Sequence, residues 1–98
     1  MFEVRQSAIF RSWFIQLPDP VIRARIDARL SRLTLGLFGD AKSVGEGIVE
    51  LRLHFGPGYR IYFTQRDGRI ILLLCGGDKA TQRRDIARAK LMARNLED

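Results

Sequence analysis

The spacing of apolar residues in this chain changes period once, across the stretch "FGDAKSVGEG", and that switch restricts it to a mixed fold with helices first and strands after. Upstream, "SAIFRSWFIQL" places Ile9, Trp13 and Leu17 four apart with Phe10 and Phe14 beside them, which predicts a helix capped by Ser7. "PDP" ends that helix. Asp19 is placed to cap a second, with Pro20 at its first position, where the missing N–H costs nothing. Ile22, Ile26, Leu30 and Leu33 then repeat at helical spacing, Arg25, Arg29 and Arg32 occupy another face, and Gly36 suits the C-terminal cap. The pair forms an α-hairpin, and a short strand, "FEV", precedes it. "FGDAKSVGEG" itself reads as a glycine-rich loop.

Downstream the period is two. In "IVELRLHF", Val49, Leu51, Leu53 and Phe55 share one face while Glu50, Arg52 and His54 share the other. "GPG" turns the chain into "YRIYF", where Tyr59, Ile61 and Phe63 alternate with Arg60 and Tyr62, and "RDGR" carries the Asp-Gly signal of a tight hairpin. "IILLLC" has no polar face and predicts a strand covered on both sides. Gly76 and Gly77 are expected to let the chain turn out of that strand, and Asp78 or Thr81 to cap a last helix carrying Ile86, Ala89, Ala93 and Leu96. The expected fold is α+β, in the order β-α-α-β-β-β-α. A small antiparallel meander packs one face on the α-hairpin, within a single domain spanning residues 1–98.

Seventeen Lys plus Arg against 11 Asp plus Glu give a net charge of +6, which points to a polyanionic partner, with nucleic acid ahead of membrane. No apolar stretch is long enough to span a bilayer, and the N-terminus lacks the order of a signal peptide, so a cytoplasmic protein is expected. The single cysteine, Cys75, lies in the apolar run and reads as a small core residue. With one histidine and scattered carboxylates there is no metal-ligand spacing, and neither "GEG" nor "GPG" matches a phosphate-binding loop. No metal or cofactor is expected.

The chemistry is therefore sought on the polar face of the meander. Arg52 and Arg60 fall on it from neighbouring strands and can converge on one anion, for which a planar guanidinium is well shaped. Lys79 approaches from the end of the third meander strand. Tyr62 offers a ring for stacking on a base and a hydroxyl, and Glu50, His54 and Gln82 complete the candidate binding residues. The same pattern also suits a wetted sheet face whose arginines pair with Glu50.

"VELRLHFGPGYRIYF" followed by "IILLLCGGDKATQRRDIARA" resembles the RelE/ParE superfamily of bacterial toxins, and within it the HigB-like addiction module killer proteins. The upstream "FRSWFIQLPDP" and "RIDARLSRLTLGLFGDAKSVGEG" are similar too, so the likeness covers nearly the whole chain. It implies the toxin of a type II toxin–antitoxin pair that cuts messenger RNA on the ribosome. The implied reaction is attack of a ribose 2′-hydroxyl on the adjacent phosphate, leaving a 2′,3′-cyclic phosphate without a metal. Arg60 matches the family's strand arginine, Arg52 a second basic position, and Lys79 the lysine of the "GGDK" motif, which either steadies the phosphate or acts as base. Tyr62 or Gln82 orients the reacting groups. The C-terminal tyrosine of some relatives is absent here. The implied partners are a helix-turn-helix antitoxin, the ribosome and mRNA, with DNA reached only through the antitoxin complex. ParE-type relatives supply the alternative, a protein-binding inhibitor of DNA gyrase that cuts no RNA.

Overall fold

The computed structural model describes residues 1–96. The order is β1 (Glu3–Gln6), α1 (Ala8–Ile15), α2 (Pro20–Leu33), β2 (Ala41–Gly45), β3 (Ile48–Arg52), β4 (Arg60–Arg66), β5 (Ile70–Gly77) and α3 (Gln82–Arg94), with a single 3₁₀ turn at Lys79–Thr81. The strands form one five-stranded sheet in the order β1-β5-β4-β3-β2, antiparallel except that β1 runs parallel to β5. The fold is thus α+β as expected, with the α-hairpin in place. Ser7 caps α1 by accepting from Phe10 N–H, and Asp19 caps α2 by accepting from Val21 N–H.

One element was not expected. "FGDAKSVGEG" is not a loop throughout, because Ala41–Gly45 forms the edge strand β2, paired with β3. The hairpin turns on Glu46 and Gly47, at φ 54° and 76°, as a primed two-residue turn requires. Asp67 and Gly68 make the β4–β5 turn with the same signs of φ. The order is therefore β-α-α-β-β-β-β-α.

The sheet carries a core on each face. Against α1 and α2, Phe10, Ile26, Leu30 and Leu33 pack on Leu51, Leu53, Ile61, Phe63, Ile71 and Leu73. The α1 stripe is centred one residue later than its spacing implies, for Phe10 is buried while Ile9 is 42% exposed. On the other face, Ile48, Tyr62, Leu74 and Cys75 pack around Ala89 of α3. Cys75 is buried as expected, and β5 is covered on both sides. A register shift between Tyr62 and Phe63, which face Cys75 and Leu73, leaves Leu74 as an extra residue in β5 and turns both Leu74 and Cys75 toward α3.

Gly76 and Gly77 have a role other than the turn expected of them. Both lie inside β5, opposite Ile61 and Arg60, with ordinary φ. A Cβ on Gly76 would stand 2.4 Å from the Trp13 ring, and one on Gly77 would stand 1.8 Å from Asp85 Oδ2. The two glycines let α1 and α3 approach the end of β5 from opposite sides.

Candidate active site

The β3–β4 register sets Glu50 opposite Tyr62 and Arg52 opposite Arg60, so all four side chains share the α3 face of the sheet. Helix α3 enters over this face through a capping box. Asp78 accepts from the N–H groups of Ala80 and Thr81, and the Thr81 hydroxyl accepts from Asp78 N–H at 3.2 Å. That hydroxyl donates to the buried Asp85 carboxylate at 2.5 Å. Asp85 thereby ties the turn that carries Lys79 to the first turns of α3, against Gly77.

Glu50 is the centre of the arrangement and is fully buried. Its Oε2 accepts from the Tyr62 hydroxyl at 2.9 Å and from the Gln82 amide at 2.8 Å, while its Oε1 accepts from Arg52 Nε at 2.9 Å. Burial pushes the carboxyl's pKa up, but the hydrogen bonds from Gln82, Arg52 and Tyr62 and the charge of Arg52 outweigh it, and the value falls below the usual one. Burial and the bond to Glu50 push the Tyr62 hydroxyl up, so it stays protonated. Arg52, hydrogen-bonded to Glu50, is raised in turn.

Arg52 and Arg60 are directly opposed like charges, a pairing that ordinarily costs a sheet stability. Arg60 is only 8% exposed. Its NH1 group donates to Gly58 O at 3.1 Å, but its buried Nε makes no hydrogen bond and stands 4.0 Å from Glu50 Oε1. Lys79 joins them across Gly58, whose Cβ position lies 3.3 Å from Lys79 Cβ and 3.4 Å from Arg60 NH1. The turn that carries Lys79 and the Arg52–Arg60 pair therefore meet at one end of the sheet. The buried Glu50 carboxylate sits beneath the arginines, and among the described residues the Arg60 Nε–H has no hydrogen-bond acceptor, only the longer ionic contact to that carboxylate. Paired guanidinium groups have the charge and the planar donors that suit an anion.

The remaining candidates are placed differently. The Tyr62 ring is fully buried and its hydroxyl is engaged, so it offers no face to a base and serves the site only by holding Glu50. Glu50 is likewise closed to substrate by the groups around it. Gln82 reaches the site through Glu50, as a link from α3 to the sheet. His54 is not on this face. Strand β3 ends at Arg52, and the His54 Nε2 pairs with Asp40 Oδ2 at 2.5 Å in a groove lined by Arg25, Arg29 and Arg32 of α2. Arg29 in that groove donates to the carbonyls of Phe38, Asp40 and Arg52, which makes it a clasp on the loop before β2.

Three features were not foreseen in the sequence. The first is the Thr81–Asp85 link, which the threonine and aspartate four apart at a helix start could have signalled. The others are Lys42 and the groove beside Glu50 at whose mouth it meets Arg83 of α3, formed by a strand that its composition conceals.

Comparison with known proteins places this geometry in context. A family model described as phage derived protein Gp49-like matches residues 12–97. An uncharacterized protein of Haemophilus influenzae is 47% identical over 94 residues, covering 96% of this chain and 95% of its own length. Among solved structures, a mutant of the E. coli toxin RelE in the free state, with two arginines replaced by alanine, superposes with a TM-score of 0.73 at 13% identity, over 97% of this chain and 98% of that one. The toxin–antitoxin complex RelBE of E. coli matches with a TM-score of 0.62 at 11% identity, over 80% of this chain and 96% of the other.

Proposed function

From the premise that the chain belongs to the phage-derived Gp49-like family and has the fold of RelE, we propose that it is the toxin of a type II toxin–antitoxin pair and acts as an mRNA endoribonuclease. The observation that carries this reading is the pairing of Arg52 with Arg60 above the buried Glu50 carboxylate, beside the turn that carries Lys79. The likeness to a toxin seen with its antitoxin supports a neutralising partner, here taken as a helix-turn-helix protein that also provides the contact to DNA. The ribosome and its message are the substrate complex, which sets the site of action in the cytoplasm.

In this mechanism the scissile phosphate docks between Arg60 and Arg52. The 2′-oxygen forms a bond to phosphorus as the bond to the 5′-oxygen breaks, giving a 2′,3′-cyclic phosphate and a 5′-hydroxyl. The transition state carries extra charge on the phosphate oxygens, and the guanidinium groups of Arg52 and Arg60 meet that charge. Glu50 is not the base, because it is fully buried beneath Arg52, Tyr62 and Gln82. The 2′-hydroxyl proton leaves to water, and the ammonium of Lys79 donates a proton to the departing 5′-oxygen. Glu50 aims Arg52 and balances the paired arginines before the RNA arrives.

Arg60→Ala tests the assignment. Its expression without antitoxin should leave growth and messages intact, whereas the parent chain should arrest growth with new 5′ ends inside translated messages, mapped by primer extension. A toxic Arg60→Ala chain removes Arg60 from the reaction. Growth arrest with intact messages and lost DNA supercoiling would establish gyrase inhibition instead.

A further inference from the structure

The reaction above uses the open end of the sheet and leaves unused a groove of about 350 Å³ between β2 and α3. Its inner end is the Glu50–Arg52 pair. Its sides are apolar, with Val44 from β2 and Ile86 from α3, both half-buried against the second core. Lys42 and Arg83 stand at its mouth, one on each element, and both are exposed. Lys42 is directly opposite Glu50 in the β2–β3 register, yet the Glu50 oxygens are taken by Tyr62, Gln82 and Arg52. Among the described residues neither the Lys42 nor the Arg83 side chain has a hydrogen bond or ion pair. Gln82 commits its amide nitrogen to Glu50, which leaves the amide oxygen as an acceptor on the groove's lining.

Apolar walls, a fixed polar group inside and two unpaired cations at the rim match the chemistry of a nucleotide: a planar base with a phosphate at its edge. We infer that this groove is a subsite for one unpaired nucleotide of the RNA strand, next to the scissile phosphate. Its base lies between Val44 and Ile86, and its phosphate rests on Lys42 and Arg83. This inference builds on the RNA reading of the neighbouring cations, and it adds a place where the identity of a flanking base is felt.

The test is binding of the full chain to a single-stranded RNA oligonucleotide made uncleavable by 2′-O-methyl groups, followed by fluorescence anisotropy. Lys42→Ala and Arg83→Ala remove exposed side chains, and circular dichroism checks that each variant is folded. Each should weaken binding about fivefold, and the double variant should reduce the slope of log affinity against log salt by about 0.7, the increment for one phosphate contact on a single strand. An oligonucleotide of abasic residues should bind the parent chain at least tenfold more weakly than the base-bearing strand, as loss of base contacts implies. Unchanged binding by the double variant, absence of binding by the parent chain, or equal binding of abasic and base-bearing strands would each overturn the subsite. Because the probe cannot be cut, the two proposals fail separately. Groove-dependent binding without cleavage of natural RNA would defeat the nuclease and keep the subsite. Cleavage that Arg60→Ala abolishes, with binding indifferent to Lys42 and Arg83, would do the reverse.

Discussion

At the scale of the residue, the site depends on how Glu50 and the two terminal glycines of β5 are used. Glu50 has a depressed pKa in the folded chain, since hydrogen bonds and Arg52 favour its charged form over the effect of burial. A depressed carboxylate contributes stability that is fully present above its unfolded value, near 4.5, and is lost as pH falls through the lower folded value. Stability of the parent chain in urea should therefore decline below about pH 4.5. Glu50→Gln should flatten this decline, and an unchanged acid limb in that variant would show that Glu50 is not its source. Gly77 is fixed by Asp85, with 1.8 Å between the carboxylate and the place of a Cβ. Gly77→Ala forces α3 or the Lys79 turn to move and should cost about 3 kcal/mol, at the upper end of overpacking. Thermal unfolding measures the loss, and an unshifted melting temperature would mean that the contact yields freely. The arginine pair was legible from strand parity, because residues two apart along a strand share a face and both arginines alternate with apolar residues that face the core. The depth of Glu50 and Tyr62 was not, because it depends on where a helix far along the chain crosses the sheet.

At the scale of the element, β3 and β4 read clearly because one of their faces is uniformly apolar. Leu51 is completely buried between the sheet and the α-hairpin, so Leu51→Asp places an unpaired charge in the first core and should leave the chain unfolded. Near-native circular dichroism and a cooperative melt for this variant would contradict the parity on which the whole site rests. Strand β2 was hidden for a physical reason. An edge strand needs few buried side chains, and of Ala41–Gly45 only Ala41 and Val44 are even half-buried. Its turn uses Glu-Gly in place of the Asn-Gly or Asp-Gly that marks such hairpins, with Glu46 held at positive φ. Glu46 also accepts from Arg94 at the far end of α3, at 2.8 Å, which gives an acidic residue a reason to occupy the turn. His54 was misplaced because the alternation continues in sequence past Arg52 while the strand does not.

At the scale of the whole molecule, α3 is secured to the β2–β3 hairpin at both ends, by Gln82 on Glu50 and by Arg94 on Glu46. Its start is locked to β5 through the Asp78–Thr81–Asp85 chain. These ties hold the cationic end of the sheet and the adjacent groove in one fixed relation, and the excess positive charge draws a polyanion toward them. The central claim is that this cationic end cuts RNA. Its most direct measurement adds the purified chain to ribosomes halted on a defined message and maps both sides of any break. The account predicts cleavage within the ribosome-bound codon, leaving a 2′,3′-cyclic phosphate and a 5′-hydroxyl, and its loss in Arg60→Ala. A message left whole by the folded parent chain, or cut equally well by Arg60→Ala, would contradict it.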